Sequence, residues 1–162
     1  MKLYRNWGAI DDIIEAALAQ AEPLTRQHQI RVSVEDELPV VRVDARAVAE
    51  VIYTLIDNAS KYAPEGTRVT VGAKSVDGYV RITVADEGPG IPLDEQNRLF
   101  QRFFRSRTVR EQAGGLGLGL SICRAIVHAQ GGDITLESTP GRGTSVHFTL
   151  PKARHLAEEA ED

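Results

Sequence analysis

The run Asp86-Glu87-Gly88-Pro89-Gly90-Ile91-Pro92 follows residues 79–85, whose apolar and polar side chains alternate like a half-buried strand. One carboxylate, Asp86, therefore stands where a strand ends, and two glycines follow at once. Glycine allows a positive φ and lets a ligand approach bare backbone. A carboxylate in that setting suits a flat group that donates hydrogen bonds, such as the amino group of adenine. Asp-x-Gly after a strand is also an ordinary turn signal, and taken alone the run fits both readings.

Two further groups of residues bear on the choice. Asn58 and Lys61 are three apart in a helical pattern, so they project side by side. An asparagine carbonyl oxygen is a suitable donor to Mg²⁺, which takes few protein ligands when phosphates supply the rest. A lysine holds phosphate as a point charge. The alternative for such a polar stripe is a solvated helix face, although asparagine is a poor choice for a helix interior. The second group is Gly114-Gly115-Leu116-Gly117-Leu118-Gly119-Leu120, which opens into an apolar helical pattern. Glycines at a helix start cost stability, about 1 kcal/mol each in a helix interior. They also leave bare N–H groups at a positive helix end, a natural seat for phosphate. No Gly-Lys-Ser/Thr follows, so this is not a Walker A loop. The preceding segment is a polar loop and not a strand, so it is not a Rossmann fingerprint. Close helix packing and a hinge would explain the same glycines.

The elements that must position these residues follow from periodicity. Residues 11–28 have helical spacing, with Asp11 or Asp12 as the cap and Pro23 loosening the end. Residues 30–34 and 39–43 read as strands. Asp44 caps a long helix through Tyr62, closed by Ala63-Pro64-Glu65-Gly66. On that helix Val48, Val51, Ile52, Leu55, Ile56, Ala59 and Tyr62 share an arc of about 140° that faces the core. Glu50, Thr54, Asp57, Asn58 and Lys61 share another of about 100°. Residues 68–76 and 79–85 form a hairpin on Asp77-Gly78. A short helix is expected over 93–100, an aromatic cluster over 100–104, a polar loop over 105–115 and a helix over 116–130. A second hairpin spans 133–138 and 144–150. Helices and strands alternate irregularly and the strand pairs are hairpins. That points to α/β, a two-layer sandwich with a mixed, mostly antiparallel sheet and helices on one face.

Composition bounds the rest. A chain of 162 residues with 42% apolar and 26% charged residues is one globular domain by size. Residues 1–151 are expected to form it, and the Ala/Glu-rich tail, 152–162, to fray. A formal charge of −4 argues against a nucleic-acid partner. No apolar run is long enough to span a membrane, and no membrane contact by the domain itself is expected. The single cysteine, Cys123, excludes an internal disulfide and fits a reducing cytoplasm, either as a cytoplasmic protein or as the cytoplasmic part of a membrane-bound sensor.

Taken in order, Asn58-Ala59-Ser60-Lys61-Tyr62, Asp86-Glu87-Gly88-Pro89-Gly90, Leu99-Phe100-Gln101-Arg102-Phe103-Phe104-Arg105, Gly115-Leu116-Gly117-Leu118-Gly119-Leu120 and Thr139-Pro140-Gly141-Arg142-Gly143-Thr144 resemble the N, G1, F, G2 and G3 boxes of the ATP-binding domain of bacterial sensor histidine kinases. The resemblance covers residues 10–151. The wording of 117–127, with Gly131-Gly132 after it, is similar to the Kdp potassium-sensor kinases. The resemblance implies the Bergerat ATP-binding fold, with ATP and Mg²⁺ bound. It implies that Asp86 accepts the adenine amino hydrogen and that Gly88 and Gly90 let the base lie close. Asn58 would hold the metal, with Lys61 and Tyr62 lining the nucleotide. Gly115, Leu116, Gly117, Leu118, Gly119 and Leu120, together with Thr144, would complete the nucleotide site beside a lid over 105–115. Phe100, Phe103 and Phe104 would tie that lid to the core. Arg102 or Arg105 would neutralise the transferring phosphoryl group.

Two departures from the family pattern carry information. Thr54 stands where the N box usually has an earlier asparagine. Related hydrolysing ATPases resemble one another in keeping a glutamate there as the base for water, and Thr54 cannot be that base. The resemblance thus implies phosphoryl transfer. None of His28, His128, His147 and His155 sits in a phosphoacceptor motif. The acceptor histidine would be on a separate dimerisation domain, with a response regulator downstream, and this chain alone would show little autophosphorylation. An anti-sigma-type protein serine kinase and a non-catalytic nucleotide-binding module are the competing readings.

Overall fold

The computed structural model describes residues 2–101 and 119–152. Its centre is a five-stranded sheet in the order β2-β4-β5-β7-β6. β2 is Gln29–Val34, β4 Arg68–Val76, β5 Tyr79–Asp86, β6 Ile134–Thr139 and β7 Gly143–Pro151. β2 and β4 are parallel, and every other neighbouring pair is antiparallel. A parallel pair requires a crossover connection, and the helix α2, Ala45–Tyr62, supplies it. A separate antiparallel ribbon pairs β1, Asn6–Gly8, with β3, Val41–Val43. Helices α1, Ile10–Thr25, and α3, Gly119–Ala129, lie beside α2.

The strands alternate as their pattern demands. Val69, Val71 and Ala73 of β4, Val80, Ile82 and Val84 of β5, and Phe148 and Leu150 of β7 are buried. They meet Ile13, Ile14 and Ala17 of α1, the Val48–Ala59 face of α2, and Cys123, Ile126 and Val127 of α3 in one core. The mixed sheet with helices on one face is as the sequence predicts.

Several boundaries carry their reasons. The Asp44 side chain accepts the N–H of Ala47 at 3.2 Å and caps α2. α2 stops because Pro64 forces Ala63 into an extended conformation, φ −79 and ψ 141. Asp77, at φ 52, makes the β4–β5 turn. α1 departs from expectation. Its N-cap is Ala9, with no side-chain hydrogen bond, and Asp11 and Asp12 lie in the first turn, where they favour the positive helix end. Residues 93–100 form no α-helix: a 3₁₀ turn, Gln96–Arg98, occupies the middle of that segment. Leu93 is 72% exposed, so the segment has no apolar stripe to bury along a longer helix. Lys152 donates its N–H to Gly78 and bridges Val41, which fastens the end of β7 across two elements.

Candidate functional site

Asp86 is the last residue of β5 and pairs with Val69 on one side and Thr144 on the other. Its Oδ1 accepts the N–H of Gly88 at 2.8 Å. The backbone N–H of Thr144, across the β5–β7 pair, also favours the charged carboxylate. Burial nevertheless holds the Asp86 pKa above the ordinary carboxylate value, because desolvation outweighs the Gly88 hydrogen bond, the Thr144 N–H and the nearby His28. An anion held partly dry at a strand end lacks a full hydration shell, and a donor from a ligand would supply what water does not.

The glycines around it have separate jobs. A Cβ at Gly88 would stand 2.8 Å from Asp86 Oδ1 and 3.3 Å from the carbonyl oxygen of Tyr62. Gly88 thus lets the turn close on the carboxylate and on the end of α2. Gly90, at φ +76, was expected to make room for the base. Its missing Cβ makes room for protein, since a side chain there would stand 2.5 Å from the Thr139 carbonyl oxygen. Gly143, at φ +104, passes so close to β5 that a Cβ would collide with the Asp86 carbonyl oxygen.

A network ties this loop to the β6–β7 hairpin. Ser138 Oγ accepts the N–H of Ile91 at 2.8 Å and lies 3.0 Å from both Gly143 O and Thr144 Oγ1. Gln96 Nε2 donates to the carbonyls of Ile91 and Ser138, each at 3.0 Å. Gly141 N–H donates to Pro89 O at 2.7 Å. Thr144, expected at the nucleotide, stands behind Asp86 as a strand partner. Ser138, Gln96 and Gly143 are the residues sequence reasoning did not assign here. Gly143 lies inside the quoted Thr139–Thr144 motif, and a second glycine two residues after Gly141 was the available signal. Nothing in the pattern marks Ser138 or Gln96.

The other half of the site is the flank of α2. Thr54, Asn58 and Tyr62 follow at intervals of four, so they form one stripe about 12 Å long. At one end the Tyr62 carbonyl meets the Gly88 turn, and at the other Thr54 meets Gly119 of α3. Asn58 is half-buried and Lys61 exposed. The Lys61 ammonium is 3.0 Å from the Asp57 carboxylate. A phosphate would have to draw it away from that partner. Leu120 is half-buried and packs on the core, as does Phe100. Arg102, Phe103, Phe104, Arg105, Gly115, Leu116, Gly117 and Leu118 lie outside the described residues, as does the expected lid over 105–115.

A sheet covered on one face, with a desolvated strand-end carboxylate set against a glycine turn and the end of a helix, defines an α/β nucleotide-binding sandwich. Residues 43–154 match the family described as histidine kinase-, DNA gyrase B-, and HSP90-like ATPase, and the chain belongs to it. It is 40% identical over 149 residues to the adaptive-response sensory kinase SasA of Synechocystis sp., which covers 90% of this chain and 39% of that protein. The protein of the same description from Synechococcus sp. is 40% identical over 143 residues, 88% of this chain and 37% of that one. The chain thus spans about two fifths of the length of these curated relatives. Among solved structures, the mycobacterial sensor histidine kinase MprB superposes with a TM-score of 0.80 at 29% identity, covering 91% of this chain and 97% of that one. The catalytic domain of histidine kinase ThkA gives 0.79 at 26% identity, covering 94% and 97%. Full-length ShkA in complex with AMPPNP gives 0.81 at 28% identity, covering 93% of this chain and 32% of that one. The chain is thus an ATP-binding catalytic domain of the sensor histidine kinase type.

Proposed function

We propose that this chain binds ATP with Mg²⁺ and donates the γ-phosphoryl group to a histidine on a separate dimerisation domain. The observation that carries the reading is Asp86, a partly dry carboxylate backed by the Gly88 N–H at a strand end. In this reading Asp86 accepts the amino hydrogen of adenine, which selects the base. The α2 stripe then runs from the base toward the phosphates. The Asn58 carbonyl oxygen fits a hard oxygen-seeking cation and would hold the metal. When bound, Mg²⁺ supplies positive charge against the phosphate oxygens. Lys61 adds charge once it leaves Asp57, and Arg102 or Arg105 neutralises the transferring group. Gly115, Gly117 and Gly119 serve the phosphate end.

Thr54 has no carboxylate to activate water, which favours transfer over hydrolysis. A response regulator would accept the phosphoryl group from the histidine. The Kdp-like wording of residues 117–127 supports a finer assignment to potassium-sensing kinases, although the relatives above carry a different description. The single cysteine supports a cytoplasmic setting. No helix among the described residues is long and apolar enough to cross a membrane.

The test is transfer from γ-labelled ATP to an added dimerisation domain bearing the acceptor histidine. The reading predicts label on that domain which is lost in acid and kept in base, as for a phosphohistidine. Acid-stable label on a serine of a partner protein would favour the anti-sigma-type kinase. Tight ATP binding with no transfer to the cognate acceptor would favour a nucleotide-sensing module.

A further inference from the structure

Thr54 is where this chain departs from the N-box pattern, and its methyl group faces the start of α3. Outside its own helix and chain neighbours, a Cβ built on Gly119 meets one described atom within 4 Å, Thr54 Cγ2 at 3.3 Å. The Thr54 hydroxyl lies near the sulfur of Cys123, one turn further along α3, and works against the rise of its pKa. That thiol is 1% exposed, lies 4.0 Å from the Val51 carbonyl oxygen, and has its pKa pushed up to about 12 by burial. Cys123 is thus an inert packing group, and the seam between α2 and α3 leaves less than ordinary contact room for a methyl at residue 119. Asn58 follows Thr54 by one turn on the same stripe.

We propose that Thr54 is a positioning residue: its methyl group sets the separation of α2 and α3 at the phosphate end of the site, and its hydroxyl is not a ligand of metal or phosphate. The inference rests on the reading that Asn58 and the start of α3 flank the triphosphate. It makes the fit between residues 54 and 119 a matter of volume. A contact of 3.3 Å leaves a few tenths of an ångström to be absorbed if a methyl is added at 119, and removing the methyl at 54 restores the space.

The experiment uses the 162-residue chain and compares affinities for ATP and ADP in the presence of Mg²⁺. Gly119→Ala should lower the ATP affinity relative to ADP roughly fivefold, and Thr54→Ser/Gly119→Ala should restore the ratio to within about twofold of wild type. Alanine is the better helix former, so helix propensity alone would not predict the loss. Thr54→Val keeps the methyl and loses the hydroxyl, and should also stay within about twofold. A thermal midpoint recorded for each variant separates a change in the ratio from a loss of fold. A ratio lost in Thr54→Val as deeply as in Gly119→Ala overturns the inference, because the hydroxyl would then be a ligand. So does an unchanged ratio in Gly119→Ala, or additive effects in the double variant. A wild-type chain that binds neither nucleotide overturns the functional reading itself and the inference with it.

Discussion

The two ends of the site are built by opposite means. The adenine end is a strand terminus locked by backbone. Asp86 is fixed by the β5–β7 register and the Gly88 N–H, and its loop is held by Ser138, Gln96 and Gly141. At the phosphate end the exposed flank of α2 carries an ion pair between Lys61 and Asp57. The adenine end is shaped before a ligand arrives, while the Lys61 side chain at the other end rearranges cheaply. The preformed end has a cost in stability. The Asp86 pKa is raised in the folded chain, so its favourable contribution is full below the unfolded carboxylate value and is lost as pH rises through the folded value. At neutral pH an ionised, partly desolvated Asp86 weakens the free domain, as binding residues often do.

Substitutions at the locked end should be severe. Gly143→Ala combines a strained φ of +104 with a collision against the Asp86 carbonyl. It should cost about 3 kcal/mol or more in chemical denaturation and abolish ATP binding. A variant with near wild-type stability would mean that the β5–β7 edge is looser than described. Ser138→Ala should be intermediate. It strands the N–H of Ile91 and should cost about 1–2 kcal/mol, with weaker nucleotide binding on titration. The solvated end should yield the smallest effect. Asp57→Asn breaks an i, i+4 pair that is 45% and 23% exposed, worth about 0.5 kcal/mol or less. ATP affinity should hold or rise slightly as Lys61 is released. A large loss of affinity there would show that the ion pair itself orders the phosphate end.

The same contrast explains what could be read from the chain. α2 was legible almost to the residue, because a long apolar face with a capping aspartate and a closing proline is written in local pattern. The β4–β5 hairpin and the carboxylate at its end were legible for the same reason. The ribbon β1–β3 was half hidden: Asn6–Gly8 is three residues long with Trp7 61% exposed, so no alternation marks it, and pairing with Val41–Val43 alone makes it a strand. Gly90 was legible as a necessary glycine, and the space its missing Cβ leaves is taken by the Thr139 carbonyl. Contacts of that kind join residues dozens apart and leave no periodic trace. The partners of Ser138 and Gln96 were hidden for the same reason.

Asp86 is the residue on which adenine recognition rests, and calorimetric titration of ATP with Mg²⁺ into the wild-type chain and into Asp86→Asn tests that role. An amide offers a donor where adenine needs an acceptor, so binding should weaken by about 2 kcal/mol or more, roughly thirtyfold. ATP bound by Asp86→Asn as tightly as by the wild type would contradict the adenine role of Asp86 and, with it, the assignment of this end of the site.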